Sequence, residues 1–155
     1  MVFVVGLVGV LFFVRFFSEV QLDDVSSEIS CDVDLLEEAD VYYVIPSFEG
    51  VNISGEWCGQ VLSSGKELAM HGVYHEFEEF GVYRDEDYVG VGVGIFERCF
   101  GYVPERFKPP QIVFASENDW IREEFEVDLF WNQVFHKVYH CEDSGFFPNW
   151  VVRIF

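Results

Sequence analysis

Threonine is absent from the 155 residues, and alanine and lysine occur three times each. Nine Lys and Arg residues stand against 28 Asp and Glu, a formal charge of -19. A chain this short of cations is repelled by phosphate backbones and anionic lipid, which excludes a general nucleic-acid-binding role. No uninterrupted apolar run reaches the roughly 20 residues of a membrane-spanning helix. The sequence also lacks a CxxC pair, an H-E-x-x-H segment and a P-loop, so the common zinc-knuckle, metalloprotease and nucleotide signatures are missing. Missing threonine has no explanation in packing, because threonine is a good strand residue.

What is present is apolar and aromatic. Half of the residues are hydrophobic and 19% aromatic, enough to fill the core of the one domain that this length favours. Valine (25 residues) and phenylalanine (18) dominate. Val, Phe, Gly, Trp, Asp and Glu share codons rich in G and U, so a coding-strand bias accounts for the skew where packing does not. A small single-stranded viral genome is the expected origin.

The chain falls into three parts. Met1–Phe17 opens with 14 uncharged residues before Arg15. It suits a buried strand, a secretory signal or anchor, or an interfacial segment, and so offers a membrane contact through residues 1–17. Ser18–Asp40 holds nine acids and no base, which predicts an exposed or flexible segment. Residues 41–155 then form a single α+β domain. Its length, apolar opening, acidic stretch and Phe/Val-rich remainder resemble the unassigned small accessory protein of nanoviruses, plant single-stranded DNA viruses. The resemblance implies a host-modulating accessory role and supplies no catalytic residue.

Val41-Tyr42-Tyr43-Val44-Ile45, stopped by Pro46, predicts a buried strand. Ser64 and Glu67 have capping-box spacing, and Met70, Val73, Phe77 and Phe80 follow at helical intervals, which predicts a helix over 65–80. Strands are expected at 83–84 and 88–96 around an Asp85-Glu86-Asp87 turn. The Val-Gly alternation from Val89 to Gly94 leaves a bare face for close helix packing. A short strand is expected at Gln111–Ala115, a helix from Ser116 to about His140 with a break near Glu123–Glu126, and a closing strand at Trp150–Phe155. The sum is an α+β fold of two strand–helix–strand units sharing one core.

All four histidines fall in two copies of one pattern, His71-Gly72-Val73-Tyr74-His75 and His136-Lys137-Val138-Tyr139-His140. On a helix, residues four apart share a face, so each pair could chelate a divalent metal such as zinc, with Glu67 or Glu78 completing the first site and Cys141 or Asp143 assisting the second. Cys31, Cys58, Cys99 and Cys141 allow two bridges in three pairings, or four buried thiols in a reducing compartment. The leading expectation is a non-enzymatic adaptor in the host cytoplasm that needs no cofactor. It would bind a host protein through exposed aromatics and the acids of the second segment, among them Asp23, Asp24, Glu37 and Glu38. The alternatives are a zinc-binding domain using His71, His75, His136 and His140, with hydrolytic chemistry, and a membrane-associated or secreted factor held by residues 1–17.

Overall fold

A computed structural model describes residues 13–154. The chain is an α/β protein built on a six-stranded parallel sheet. In chain order the elements are β1 (Val20–Val25), α1 (Val33–Glu38), β2 (Val41–Val44), the two-stranded hairpin β3 (Ser47–Phe48) and β4 (Val51–Asn52), and α2 (Gly55–Ser63). They continue with β5 (Glu67–His71), α3 (Glu86–Phe100), β6 (Arg106–Lys108), β7 (Glu126–Val127), α4 (Phe130–Phe135), β8 (Lys137–His140) and α5 (Asn149–Ile154). The sheet order is β7-β6-β5-β2-β1-β8. Its two edges, β7 and β8, are consecutive in sequence and joined through α4. The expectation that helices and strands share a core holds, and its α+β arrangement is corrected to this parallel α/β one.

One face of the sheet is oily and carries the helices. Leu22, Tyr42, Val44, Leu68, Met70, Phe107 and Tyr139 alternate onto it and join Leu35, Val89, Ile95 and Phe96 in one core. The opposite face holds Gln21, Asp23, Tyr43, His71, Arg106, Lys108 and His140, whose parity in their strands sets them there. Lys108 on β6 bonds Gln21 and Asp23 on β1. In a flat sheet those strands would lie about 14 Å apart, so the sheet curls around its polar face.

Several local expectations are overturned by tertiary context. Residues 65–80 contain β5 and a loop rather than a helix. Leu68, Ala69 and Met70 are wholly buried between β2 and β6, a place that only a strand can fill. Ser64 is the C-cap of α2, and its hydroxyl donates to the Val61 carbonyl at 2.6 Å. The region expected as strand at 88–96 is instead α3. The Asp85 side chain accepts from the Tyr88 N–H at 2.9 Å, Glu86 and Asp87 favour the helix N-terminus, and Gly101 at φ 83° ends the helix. The glycine expected to permit close packing does so within this helix. A Cβ on Gly92 would lie 3.0 Å from Val73 and 3.3 Å from Met70.

Residues 116–140 divide into a 3-10 helix (Ser116–Glu123), β7, α4 and β8, breaking where the acids Glu123–Glu126 fall. Residues 111–115 are a 3-10 turn and coil, and the expected closing strand is α5. The β2 strand lies where it was expected. Ser18–Asp40, expected to be exposed or flexible, contains β1 and α1. Of the apolar opening, residues 1–12 lie outside the described residues and 13–17 are helical, with Arg15 donating to the Gln133 and Val134 carbonyls. Among the described residues no helix is long and apolar enough to cross a membrane. The cysteines pair as Cys31–Cys141 and Cys58–Cys99, the second bridge joining α2 to α3.

Candidate metal centre

The site lies where β1, β5 and β8 end. Consecutive residues of a strand normally face opposite sides, yet Asp23 and Asp24 converge on one pocket. The cause is a bulge in β1: its register against β2 slips between Leu22 and Val25, and Asp24 adopts a φ of 63°. This left-handed conformation costs a non-glycine residue about 1 kcal/mol or more. The surrounding bonds hold it there.

His71 closes β5, and Gly72 at φ 61° turns the chain so that His75, itself at φ 57°, folds back towards it. The two rings lie 5.0 Å apart. Asp24 Oδ1 is 3.2 Å from His71 Nε2 and 2.9 Å from His75 Nε2. These three side chains offer ligand atoms all within 4.8 Å of one another. His71 Nδ1 lies 3.0 Å from the Lys108 carbonyl. As a donor there, it leaves Nε2 with a free lone pair, the arrangement that commonly orients a metal-binding imidazole. Two imidazoles and a carboxylate suit zinc, with further positions open to water or substrate. The residues present therefore fit a divalent cation.

Electrostatics bind the set together. Burial opposes the charge on Asp24, but hydrogen bonds from His71 and His75 and the charge of nearby rings outweigh it, holding its pKa far below the ordinary carboxylate range. Burial likewise opposes a charged His71, and the bond to Asp24 with the charges of Asp23 and Asp24 outweighs that, raising its pKa.

A second carboxylate stands beside the first. Asp23 is buried, with Oδ1 2.8 Å from Lys108 Nζ and Oδ2 3.6 Å from His140 Nε2. Lys108 also donates to Gln21 at 2.7 Å and lies 3.6 Å from the centre of the Tyr43 ring. Burial lowers the Lys108 pKa, and the charge of Asp23 opposes the fall. Burial also lowers that of His140. His140 Nδ1 is buried with no hydrogen-bond partner among the described residues, and Gly145 packs against its ring. The side chains of His75 and His140 remain 18% and 16% exposed while Asp23, Asp24 and His71 are almost wholly covered, so the site opens at those two rings.

The four histidines thus part company. His71 and His75 meet through a strand end and a turn, without the expected helix. His140 enters the same pocket from β8, and His136 stays at the far end of that strand. Neither Glu67, at the start of β5, nor Glu78 completes the first site; Asp24 does. Two of the four acids assigned to a docking surface, Asp23 and Asp24, are 1% and 4% exposed and face inward, while Glu37 and Glu38 are exposed on α1.

No family model matches the chain, and no curated protein matches it. Among solved structures, the fold is similar to the Xyl-CE4 domain of a multidomain xylanase from the hindgut metagenome of Trinervitermes trinervoides, with 19% identity, a TM-score of 0.43, and 64% of this chain and 53% of that one covered. It is also similar to a mutant of the peptidoglycan deacetylase PdaC from Bacillus subtilis, with 17% identity, a TM-score of 0.49, and coverage of 74% and 59%. The polysaccharide deacetylase Bc1974 from Bacillus cereus gives 19% identity, a TM-score of 0.49, and coverage of 71% and 59%. The chain spans between 53% and 59% of the length of these structures. Each is a likeness of fold at low identity.

These findings correct the expectation of a plant-virus accessory protein resembling that of nanoviruses. The three structures named above are a xylanase domain and two deacetylases, and the profile behind the resemblance was one of composition, which does not fix strand order. The non-enzymatic adaptor is corrected with it. The acids at the heart of the supposed docking segment are committed to an interior cluster with histidines.

Proposed function

We propose that the protein is a divalent-metal-dependent hydrolase acting on an acyl group, with deacetylation as its chemistry. One observation carries this reading: Asp24, His71 and His75 converge as a ligand set while a second buried carboxylate, Asp23, stands beside it facing His140. A structural metal site needs no such neighbours, whereas a hydrolytic one needs a base and an acid within reach.

Asp24, His71 and His75 would hold the cation, zinc by the chemistry of the donors. When bound, it supplies Lewis acidity and brings a water molecule close to neutral pKa. Asp23 is the base: it receives a proton from the attacking water at Oδ2, the oxygen left free of Lys108. Lys108 holds Asp23 in place through Oδ1, and the Tyr43 ring packs against the ammonium. His140 returns a proton from Nε2 to the leaving amine or alcohol. The proton it gives is the one Asp23 took from the water, passed on from Oδ2 to Nε2, which faces it at 3.6 Å, so both groups end as they began. The rings of His75 and His140, being the exposed ones, face the incoming substrate.

Acetylated glycans are the first substrates to assay, since released acetate is a readout independent of the sugar. Protein purified without an affinity tag should carry or take up one zinc or cobalt ion and release acetate. Chelation should abolish release, and Asp23→Asn should abolish it with metal still bound. Failure to bind either metal at micromolar concentration would overturn the reading.

A further inference from the structure

Glu79 is 1% exposed, and among the described residues no basic side chain lies within salt-bridge distance of it. A buried carboxylate of this kind is costly unless donors surround it. Its donors are the backbone of the segment between the two histidines. Oε1 accepts from the Val73 N–H at 3.1 Å and the Tyr74 N–H at 3.0 Å. Oε2 accepts from Val73 at 3.2 Å and from the His75 N–H at 3.1 Å. The Tyr88 hydroxyl, from α3, donates to Oε1 at 2.8 Å.

Successive N–H groups that follow a left-handed residue form a concave anion-binding nest. Gly72 supplies that residue, and a Cβ there would meet the Glu79 carboxylate and Pro110. Outside, Arg84 closes the arrangement: its Nε donates to the Glu79 carbonyl at 2.8 Å and its guanidinium lies 4.3 Å over the Tyr88 ring.

We infer that Glu79 is a positioning residue for the metal centre: by filling the nest at 73–75 it fixes the turn that brings His75 back against Asp24 and His71. The inference rests on the metal-site reading above. Glu79 makes no hydrogen bond or ion pair with the side chain of Asp24, His71 or His75; its grip is on the backbone N–H of His75, a residue whose φ of 57° would otherwise relax. Gln in its place offers one acceptor oxygen and turns an amide donor towards N–H groups.

The test is metal competition against a chromophoric chelator on full-length protein, with zinc and then cobalt, and the cobalt absorption spectrum as a second readout. Glu79→Gln should weaken affinity by about 10- to 100-fold, the range for outer-shell changes at metal sites, and alter the cobalt bands. Leu35→Ala, in the core away from the site, should lower the melting temperature while affinity stays within twofold. His75→Ala should lose far more affinity than either. Wild-type affinity and spectrum in Glu79→Gln, with His75→Ala defective, would overturn the positioning role and leave the metal site standing. Wild-type affinity in His75→Ala would overturn the metal site itself. If Glu79→Gln does not fold, Glu79→Asp replaces it with the same expected direction. Amide exchange of the unaltered metal-free protein decides the matter if neither folds. Slow exchange at Val73, Tyr74 and His75 supports the nest, and exchange at the rate of an open loop overturns it.

Discussion

Lys108 Nζ sits 2.8 Å from Asp23 Oδ1, and both side chains are 1% exposed. The pair spans the sheet from β6 to β1, so it ties the curl of the fold to the placement of the proposed base. Breaking a buried pair by removing one partner leaves an uncompensated charge and typically costs about 3–5 kcal/mol. Lys108→Met should fall in this range by urea denaturation. Lys108→Met with Asp23→Asn should recover part of the loss, because neither charge then remains. A double variant as unstable as the single one would show that the pair is not the source.

The ligand set should be selective within the histidines. Asp24→Ala, His71→Ala and His75→Ala should each reduce zinc affinity at least 100-fold by competition. His136→Ala should leave it unchanged, since that ring lies at the other end of β8. His140→Gln should retain metal and lose acetate release, separating the proposed acid from the ligands.

How much of this was legible in the sequence depends on how local each signal is. Val41–Ile45 was readable as a strand because an apolar run between Asp40 and Pro46 admits little else. The histidine pair drew attention by its spacing, although the reason given, a shared helix face, is not the one the fold uses. Helix α3 was hidden by the Val-Gly alternation, which imitates strand periodicity. Its buried set Val89, Gly92, Ile95, Phe96 and Phe100 has helical spacing once Gly92 counts as a contact residue. Asp24 left no local mark. It is one acid among nine in its segment, and only a bulge in β1, fixed by pairing with β2, turns it towards His71. Lys108 and Asp23 are 85 residues apart, and no periodicity joins them.

Stability of the metal-free protein should respond to pH through two histidines acting in opposite senses. The His71 pKa is raised above its unfolded value of about 6.5, so its contribution is complete below that pH and is lost as pH rises through the raised value. The His140 pKa is lowered by burial, so its contribution is present above about 6.5 and lost as pH falls through the lowered value. In His140→Gln the opposing effect is gone, and the melting temperature of the metal-free variant should fall as pH rises above about 6.5. Saturating zinc should reverse that slope, because the metal takes the deprotonated imidazoles. A slope of one sign with and without zinc would contradict the assignment of His71.

Reduction should loosen the site from one side. Cys141 follows His140 directly, and its bridge to Cys31 closes a loop with a sequence separation of 110. On the chain-entropy account a loop of about 100 residues is worth roughly 4–5 kcal/mol, although measured values run lower. Cys31→Ser with Cys141→Ser should therefore lower stability by about 2–5 kcal/mol by chemical denaturation. Zinc affinity should change little, because Asp24, His71 and His75 are held by β1, β5 and the turn after it. Cys58→Ser with Cys99→Ser should lower stability without touching acetate release, since that bridge joins α2 and α3 on the other face of the sheet.

Gly145 offers the sharpest separation of binding from chemistry. A Cβ on it would fall 2.2 Å from His140 Nδ1 and 2.6 Å from Cε1, closer than any real contact. The imidazole therefore has to swing away, or the 141–149 segment has to move. Either shift disturbs the 3.6 Å approach of His140 Nε2 to Asp23, and a displacement of about 1 Å in a catalytic group can cost 100-fold in rate. The three atoms nearest that Cβ all belong to His140, and none to Asp24, His71 or His75. Gly145→Ala should thus bind zinc within twofold of the unaltered protein while its acetate release falls by one to two orders of magnitude. Loss of metal and activity together would place His140 among the ligands, and full activity would remove it from the reaction.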